Sequence, residues 1–256
     1  MPKVKLNVEE LDYASDEAYK SLRTNLRFCG EEKKAIVLTS CTPNEGKSTV
    51  ALYLAMSLVQ SGKKVLLLDT DMRKSVLIGN FTVTEELMGL SHFLSGQTHL
   101  LDVICNTDVE NLDIIFSGPF PPNPAELLEK PAFSALLEYG RENYDYILID
   151  SPPLGSVIDG AIIAQKCDAA VIVLEVETIS YRFVLEVKDQ LEKSGCPVLG
   201  VILNKVDLRD RKYYSYYYSK KYGRHYGEYY GYGNYKEEKP RKRTRKRRRN
   251  IKWVKG

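Results

Sequence analysis

Short apolar runs recur along the chain and alternate with segments of helical periodicity. The runs predict six buried strands, at residues 35–38, 64–69, 112–117, 146–150, 169–176 and 198–204. The intervening segments predict helices at residues 46–58, 84–95, 124–139, 158–166 and 180–194, the third of them kinked or broken at Pro131. Because apolar strands that alternate with helices form mostly parallel sheets, we expect an α/β fold with helices on both faces of a central sheet.

A further helix is predicted at residues 15–28, before the first strand, with Ser15 as its cap. One side of this helix carries an apolar stripe, formed by Tyr19, Leu22 and Leu26. Another side is polar and carries Glu17, Lys20, Thr24 and Arg27. The polar residues form either a solvated face with internal ion pairs or a subunit interface, and the periodicity allows both interpretations.

The sequence Gly46-Lys47-Ser48-Thr49 follows the first predicted strand and opens a helix. Unpaired backbone N–H groups and the positive end of the helix dipole make such a helix start an anion-binding site. Lys47 would reach the β- and γ-phosphates of a nucleotide, and Ser48 would bind Mg²⁺. The complete phosphate-loop pattern has a glycine five residues before Gly46, where this chain has Cys41. We predict a nucleotide-binding loop, against the alternative of an incidental lysine at a helix start.

Two of the predicted strands end in carboxylates. Asp69 and Asp71 follow one strand, and Asp150 ends another. A single Asp in such a place is most often a turn or cap residue, but ligands of parallel sheets bind beyond the carboxyl ends of the strands. Mg²⁺ prefers carboxylate and phosphate oxygens, and phosphoryl transfer to a hydroxyl needs a group that orients and deprotonates it. The three acids therefore predict a metal ligand set and a base beside the phosphate loop.

The composition is that of an ordinary soluble domain, with 43% hydrophobic and 28% charged residues among 256. No apolar run approaches the roughly 20 residues that span a bilayer, and the N-terminus has no signal-peptide core, so we expect a cytosolic protein. The five cysteines are scattered without a Cys-x-x-Cys pair, which argues against a disulfide framework and a zinc site.

The C-terminal segment differs in composition from the rest of the chain. Residues 239–256 carry eleven Lys and Arg and no acidic residue, so the net charge of +3 leaves −8 for the remainder. Eleven of the 23 residues at 213–235 are tyrosine. Because this segment is glycine-rich and poor in aliphatic residues, we expect it to be flexible. By itself it is typical of sticky or nucleic-acid-binding low-complexity sequence, whereas beside a phosphoryl-transfer site it is better interpreted as the phosphoacceptor.

The last predicted strand ends in Asn204-Lys205-Val206-Asp207, which is similar to the guanine-reading Asn-Lys-x-Asp of small GTPases. In related ATPases, however, an Asn at this position serves adenine. The motif therefore leaves the nucleotide base open.

Taken together, these motifs resemble those of the bacterial tyrosine kinases of capsular and extracellular polysaccharide synthesis, in the separate cytosolic form found in Gram-positive bacteria. The resemblance covers residues of about 13 to 235 and rests on five motifs, at 17–23, 39–49, 69–73, 121–128 and 150–153. Two positions depart from the family pattern. Asn44 stands where the family has glycine, and Lys20 stands where arginine is usual.

The resemblance implies a P-loop NTPase fold that uses ATP and Mg²⁺. The implied nucleotide site comprises Glu45, Gly46, Lys47, Ser48, Thr49 and Asn204. The implied metal ligands are Ser48, Asp71 and Asp150. The implied catalytic residues are Lys47, Asp69, Asp71, Arg73 and Asp150, with Asp69 as the base that takes the tyrosine proton and Arg73 stabilising charge or positioning the acceptor.

The resemblance also implies partners and an organisation of the chain. Residues 1–211 would form the kinase domain, 212–236 the autophosphorylated segment and 237–256 a basic tail. The phosphoacceptors expected in trans are Tyr213, Tyr214, Tyr216, Tyr217, Tyr218, Tyr222, Tyr226, Tyr229, Tyr230, Tyr232 and Tyr235. The family forms rings through the motif of Glu17, Lys20 and Arg23, and it works with a membrane adaptor of the polysaccharide chain-length family.

The basic tail lies outside the family pattern and has three interpretations. It could bind an anionic membrane surface, bind the phosphotyrosines, or bind nucleic acid. We favour the first two, because a polysaccharide-export kinase works beside a membrane adaptor. We expect a cytoplasmic protein that is recruited to the inner face of the plasma membrane.

Three alternative functions remain. A partition or septum-positioning ATPase shares the sheet and the motifs, but it usually has a second lysine where this chain has Thr42. A GTP-binding switch rests on Asn204 and Asp207 alone. A nonenzymatic nucleic-acid-binding protein would give the three aspartates no role.

Overall fold

The computed structural model describes residues 1–206, whose strands form one nine-stranded sheet. The strands are β1 (Lys3–Leu6), β2 (Ala35–Ser40), β3 (Val65–Asp69), β4 (Phe81–Thr82), β5 (Cys105–Thr107), β6 (Leu112–Ile115), β7 (Tyr146–Asp150), β8 (Ala169–Glu175) and β9 (Val198–Asn204). They follow the order β4-β1-β5-β6-β3-β7-β2-β8-β9. All neighbours are parallel except the pairs β1–β4 and β5–β6.

Eight α-helices and one short 3₁₀-helix connect the strands of this part of the chain. The α-helices are α1 (Tyr13–Phe28), α2 (Lys47–Gln60), α3 (Leu90–Leu94), α4 (Leu100–Val103), α5 (Pro124–Glu129), α6 (Pro131–Asn143), α7 (Asp159–Ala164) and α8 (Tyr181–Lys193). The 3₁₀-helix spans Leu77–Asn80. No helix within residues 1–206 is both long enough and apolar enough to cross a membrane.

The sheet is buried on both faces. Ile36 and Leu38 of β2 pack in a core with α1 and α2, while Ala35 and Val37 pack in a second core with α5 to α8. Successive side chains of a strand point to opposite faces, so a strand covered on both sides must be apolar throughout. This is why β2, β3 and β7 appear in the sequence as continuous apolar runs.

The predicted fold is confirmed, with corrections among its smaller elements. All six predicted strands are present, and the predicted break at Pro131 separates α5 from α6. Three short strands, β1, β4 and β5, were not predicted, because two to four residues are too few to show a period.

Two predicted helix features were wrong. Only Leu90–Leu94 of the helix predicted at 84–95 is helical. The first helix begins at Tyr13 rather than at residue 15, and Asp12, not Ser15, caps it: the Asp12 carboxylate accepts a hydrogen bond from the Ser15 N–H at 2.7 Å. The structure thus assigns the cap to Asp12, which the sequence analysis did not consider, and makes the Ser15 backbone its donor.

The register of the central strands determines where the site lies. Asp69 at the end of β3 is aligned with Asp150 at the end of β7, and Asp150 is aligned with Leu38 of β2. The loop between β2 and α2 leaves the sheet at this same edge. Parallel pairing therefore brings the two carboxylates and the phosphate loop together.

Candidate active site

Two residues of the phosphate loop have a left-handed backbone conformation, which restricts the amino acids that fit there. Gly46 has φ 86°, and a Cβ atom placed there would lie 2.2 Å from Asn204 Nδ2. Asn44 has φ 69°, also in the left-handed region. Asparagine enters this region more readily than other residues with a side chain. Asn44 therefore has a backbone conformation that glycine, the residue of the family pattern at this position, adopts without strain.

The Glu45 side chain stabilises the phosphate loop through a hydrogen bond within it. It is buried, and its Oε2 accepts a hydrogen bond from the Thr42 N–H at 2.8 Å. Its Oε1 has no hydrogen-bond partner among the described residues. The sequence placed Glu45 in the nucleotide site, and the structure places its carboxylate inside the loop.

Lys47 opens α2, and its side chain reaches two of the three carboxylates. The Nζ atom lies 3.5 Å from Asp71 Oδ2, 3.4 Å from Asp150 Oδ1 and 3.3 Å from Ser48 Oγ. All four residues are buried, so solvent screens their charges little. Thr49, in the next position of the same helical turn, is exposed.

The Asp69 carboxylate is held by the loop that follows β3. Its Oδ1 accepts a hydrogen bond from the Asp71 N–H at 3.1 Å, and its Oδ2 accepts one from Ser75 Oγ. Burial, with a smaller contribution from the charge of Asp150, raises the pKa of Asp69 to about 7, although both hydrogen bonds oppose the rise. A buried carboxyl group that titrates near neutrality is suited to accept a proton from a hydroxyl.

Asp150 combines deep burial with an unsatisfied oxygen. Burial raises the pKa of Asp150, while the neighbouring Lys47 ammonium lowers it. Its Oδ1 accepts no hydrogen bond within the part of the chain that the structure describes. A carboxylate oxygen that is paired with the Lys47 ammonium but accepts no hydrogen bond fits the hard-oxygen chemistry of Mg²⁺ once Lys47 turns to the phosphates. Residues 1–206 contain no cluster of three or more His, Cys, Asp or Glu that could hold a metal, so phosphate and water oxygens would have to complete the ligand set.

Arg73 is fixed by a partner that the sequence did not indicate. Its Nε and Nη2 donate to the two carboxylate oxygens of Asp159, at 2.7 and 3.1 Å. Asp159 is buried in the first turn of α7. This bidentate pair ties the loop after β3 to α7 and sets the direction of the Arg73 side chain.

The hydrogen bond of Asn204 fixes the orientation of its side-chain amide group. Its Nδ2 donates to the Glu45 carbonyl at 2.9 Å, since a carbonyl oxygen can only accept. The remaining amide atom, Oδ1, is an acceptor. An acceptor at this position is complementary to the N6 amino group of adenine and not to the O6 carbonyl of guanine.

A cleft of about 450 Å³ opens beside the loop after β3. Its walls include the apolar residues Met72, Ile78, Met88, Phe116 and Phe120. Ser75, which donates to Asp69, also lines the cleft. A largely apolar cleft, with a wall residue that donates to a buried carboxylate, has the chemistry to accept an aromatic ring with a polar tip.

The structure thus brings together the predicted site residues at the ends of β2, β3, β7 and β9, but two predicted groups lie elsewhere. Glu17, Lys20 and Arg23 lie on α1, where Lys20 pairs with Asp16 and Glu17 and where Arg23 donates to the Ser57 carbonyl at 2.6 Å. The eleven tyrosines of 213–235 lie outside the described residues.

Sequence reasoning missed Ser75, Asp159 and the contacts of Lys205. Ser75 and Asp159 belong to no pattern with fixed spacing, and Asp159 lies 86 residues from Arg73 along the chain. Lys205 lies within the Asn-Lys-x-Asp motif, but that motif did not indicate that its side chain contacts the phosphate loop. Only the polar character of Asp159 within an otherwise apolar segment, 157–164, could have drawn attention to it.

Comparisons with known proteins identify the family. A family described as an AAA domain matches residues 34–194. Tyrosine-protein kinase CpsD of Streptococcus agalactiae is 44% identical over 202 residues, which are 79% of this chain and 88% of the relative. The chain belongs to the bacterial tyrosine-protein kinases. The family that its motifs indicated is therefore confirmed.

Solved structures agree with this assignment. The kinase domain of the Escherichia coli tyrosine kinase ETK matches this kinase with a TM-score of 0.71 at 35% identity, over 75% of each chain. The septum site-determining protein MinD of Pyrococcus horikoshii, solved with Mg-ADP, matches with a TM-score of 0.57 at 27% identity, over 66% of this chain and 69% of that one. The kinase thus shares a nucleotide-binding P-loop fold with the septum ATPases, but it is more similar to tyrosine kinases.

Proposed function

We propose that this kinase transfers the γ-phosphate of ATP to tyrosines 213–235 of a neighbouring copy. The observation that supports it most directly is that Asp69, a buried carboxyl group with a pKa of about 7, is aligned with Asp150 and accepts a hydrogen bond from Ser75, which lines a cleft with room for a tyrosine ring. A free tyrosine has a pKa near ~10, so a positioned carboxylate is needed to accept its proton.

In the transfer step, Lys47 turns from Asp71 and Asp150 to the β- and γ-phosphates. The tyrosine oxygen forms a bond to the γ-phosphorus, and the bond from that phosphorus to the β–γ bridging oxygen breaks, so that ADP leaves. Ser75 releases the Oδ2 atom of Asp69, and the phenolic proton passes to this carboxylate. Arg73, held by Asp159, lies at the edge of the cleft and adds positive charge on the acceptor side.

Ser48, Asp71 and Asp150 would hold Mg²⁺, which when bound neutralises phosphate charge. The unsatisfied Asp150 Oδ1 supports this ligand set. We expect ATP to be preferred over GTP, because the Asn204 amide group that donates to Glu45 has only its oxygen, an acceptor, left for the base.

A mixing experiment tests the transfer and its direction. Lys47→Met should abolish ³²P transfer from ATP in the isolated variant, because the phosphates lose their main cation. When this variant is mixed with active kinase that lacks 212–256, the Lys47→Met chain should become labelled. An unlabelled chain would refute transfer in trans. Lys188→Met, which removes a lysine paired with Glu192 on α8, is the control and should label normally.

Transfer in trans requires copies to assemble, and the ring that we propose uses α1. Glu17, Lys20 and Arg23 lie there on partly exposed surface. Arg23 is already bonded to α2, so it would support α1 more than reach a neighbour.

We place the kinase in the regulation of capsular and extracellular polysaccharide synthesis, beside a membrane adaptor of the polysaccharide chain-length family. Its similarity to CpsD supports this role. The eleven basic residues of 239–256 would add attraction to an anionic membrane of about 1 kcal/mol each. Co-sedimentation with anionic liposomes should therefore fall when 239–256 are deleted, and equal sedimentation would discard the membrane contact.

A further inference from the structure

The side chain of Lys205 bridges the phosphate loop and the end of β8. Its Nζ donates to the Asn44 carbonyl at 2.8 Å and to Glu175 Oε2 at 2.7 Å. Glu175 is the last residue of β8 and is paired in the sheet with Asn204. Lys205 therefore connects the loop to the rigid end of the sheet.

The backbone at Lys205 is unusual for a residue with a long side chain. Its φ is 57°, in the left-handed region, which a lysine enters at an energetic cost. This conformation immediately follows β9, and from it the Lys205 side chain reaches the phosphate loop. A strained residue in contact with the loop is a sign that the contact has a role.

Two successive carbonyls of the loop are held from the same side. Lys205 binds the carbonyl of Asn44, and Asn204 binds the carbonyl of Glu45. Across a trans peptide bond the C=O and the next N–H point in opposite directions, and no peptide bond within residues 1–206 is cis. The Glu45 and Gly46 N–H groups therefore point away from β9, as phosphate-binding N–H groups must. Neither N–H donates a hydrogen bond to another described residue.

We propose that Lys205 is a positioning residue for ATP. By donating to both the Asn44 carbonyl and the Glu175 carboxylate, Lys205 fixes the loop so that the Glu45 N–H faces the phosphates. The residue touches the loop and not the reacting atoms. This proposal rests on ATP as the nucleotide, as proposed above.

The dissociation constant of Mg·ATP, measured by calorimetric titration of the full chain, tests the proposal. Lys205→Met keeps most of the side-chain stem and removes the donor, so the dissociation constant and KM for ATP should rise roughly tenfold. The kcat should change by less than about twofold, because the reacting groups are untouched. Lys205→Arg should bind nearly as the wild type, and Glu175→Gln should show a smaller loss.

Two further variants separate positioning from folding. Lys188→Met removes a lysine of a surface ion pair away from the loop and should leave ATP binding unchanged. Lys205→Gly removes the side chain but also relieves the positive φ, so it should weaken ATP binding without lowering Tm.

Tight ATP binding by Lys205→Met or Lys205→Gly would overturn the proposal, as would a loss in kcat with the dissociation constant unchanged. A wild-type chain that fails to bind ATP would instead refute the proposed function. The two failures are therefore distinguishable.

Discussion

Gly46 shows how narrowly a residue of the phosphate loop is constrained. Its positive φ disfavours any side chain, and Asn204 Nδ2 occupies the space that a Cβ would need. Asn44, two residues earlier, has a similar φ but no such crowding forces a glycine there. The departure from the family pattern at Asn44 is therefore compatible with the same loop, because the requirement is a left-handed backbone and not an absent side chain.

Asp69 is a residue at which function and stability oppose each other. Its pKa rises from 3.8 to about 7 on folding, so its contribution to stability is full below pH 3.8 and declines as the pH rises. Above about pH 7 Asp69 is a buried carboxylate in the folded protein, and its contribution to stability is completely lost. Such a cost is expected where a group is kept for chemistry.

Asp69→Asn should therefore raise the Tm of the nucleotide-free protein, and the gain should grow from about pH 5 to about pH 7 and then stay constant. The same variant should bind ATP and fail to transfer phosphate, because an amide cannot accept the tyrosine proton. Scanning calorimetry at several pH values, with a kinase assay, checks both expectations. A Tm difference that does not depend on pH would contradict the burial argument.

At the scale of elements, two arginines supplement the apolar packing with polar contacts between segments that are distant in the sequence. Arg73 ties the loop after β3 to α7 through Asp159, and Arg23 ties α1 to the C-terminal half of α2 through the Ser57 carbonyl. In both cases a long cationic side chain adds a polar contact between two elements, and for α1 and α2 this contact supplements apolar packing. Neither contact is visible as a pattern in the sequence.

The cap of α1 gives a prediction on which the structure and the sequence analysis differ, since the structure has Asp12 as the cap and the sequence indicated Ser15. Asp12→Ala should lower Tm because the Ser15 N–H loses its acceptor, whereas Ser15→Ala should have little effect. The Ser15 N–H lowers the pKa of Asp12, so the charged cap contributes above pH 3.8 and is lost as the pH falls through that lowered value. The Tm difference caused by Asp12→Ala should accordingly shrink in acid. A larger loss from Ser15→Ala would contradict the observed cap.

At the scale of the whole molecule, the C-terminal segment differs in net charge from the rest of the chain. Each phosphorylated tyrosine adds about −1.5 to −2 charges, so several on one chain should repel those on neighbouring chains. We expect incubation with Mg·ATP to reduce the size of the oligomer. Sedimentation velocity before and after ATP measures this, with Lys47→Met as the control that should stay unchanged. An oligomer of constant size after extensive phosphorylation would refute electrostatic disassembly.

The sequence alone determined the fold class, the six long strands and the loop with its three aspartates. Buried parallel strands must be apolar throughout, and phosphate and metal chemistry admits few residue types at fixed spacing, so both leave local patterns. Only the tertiary structure decided that Asp12 caps α1, that Ser75 holds Asp69, that Asp159 fixes Arg73 and that Lys205 grips the phosphate loop. The contacts of Arg73 and Lys205 join residues 86 and 161 positions apart, which approach only through the register of the sheet. The contacts of Asp12 and Ser75 are local, but the sequence offers several polar residues nearby, and the course of the backbone decides which of them bonds.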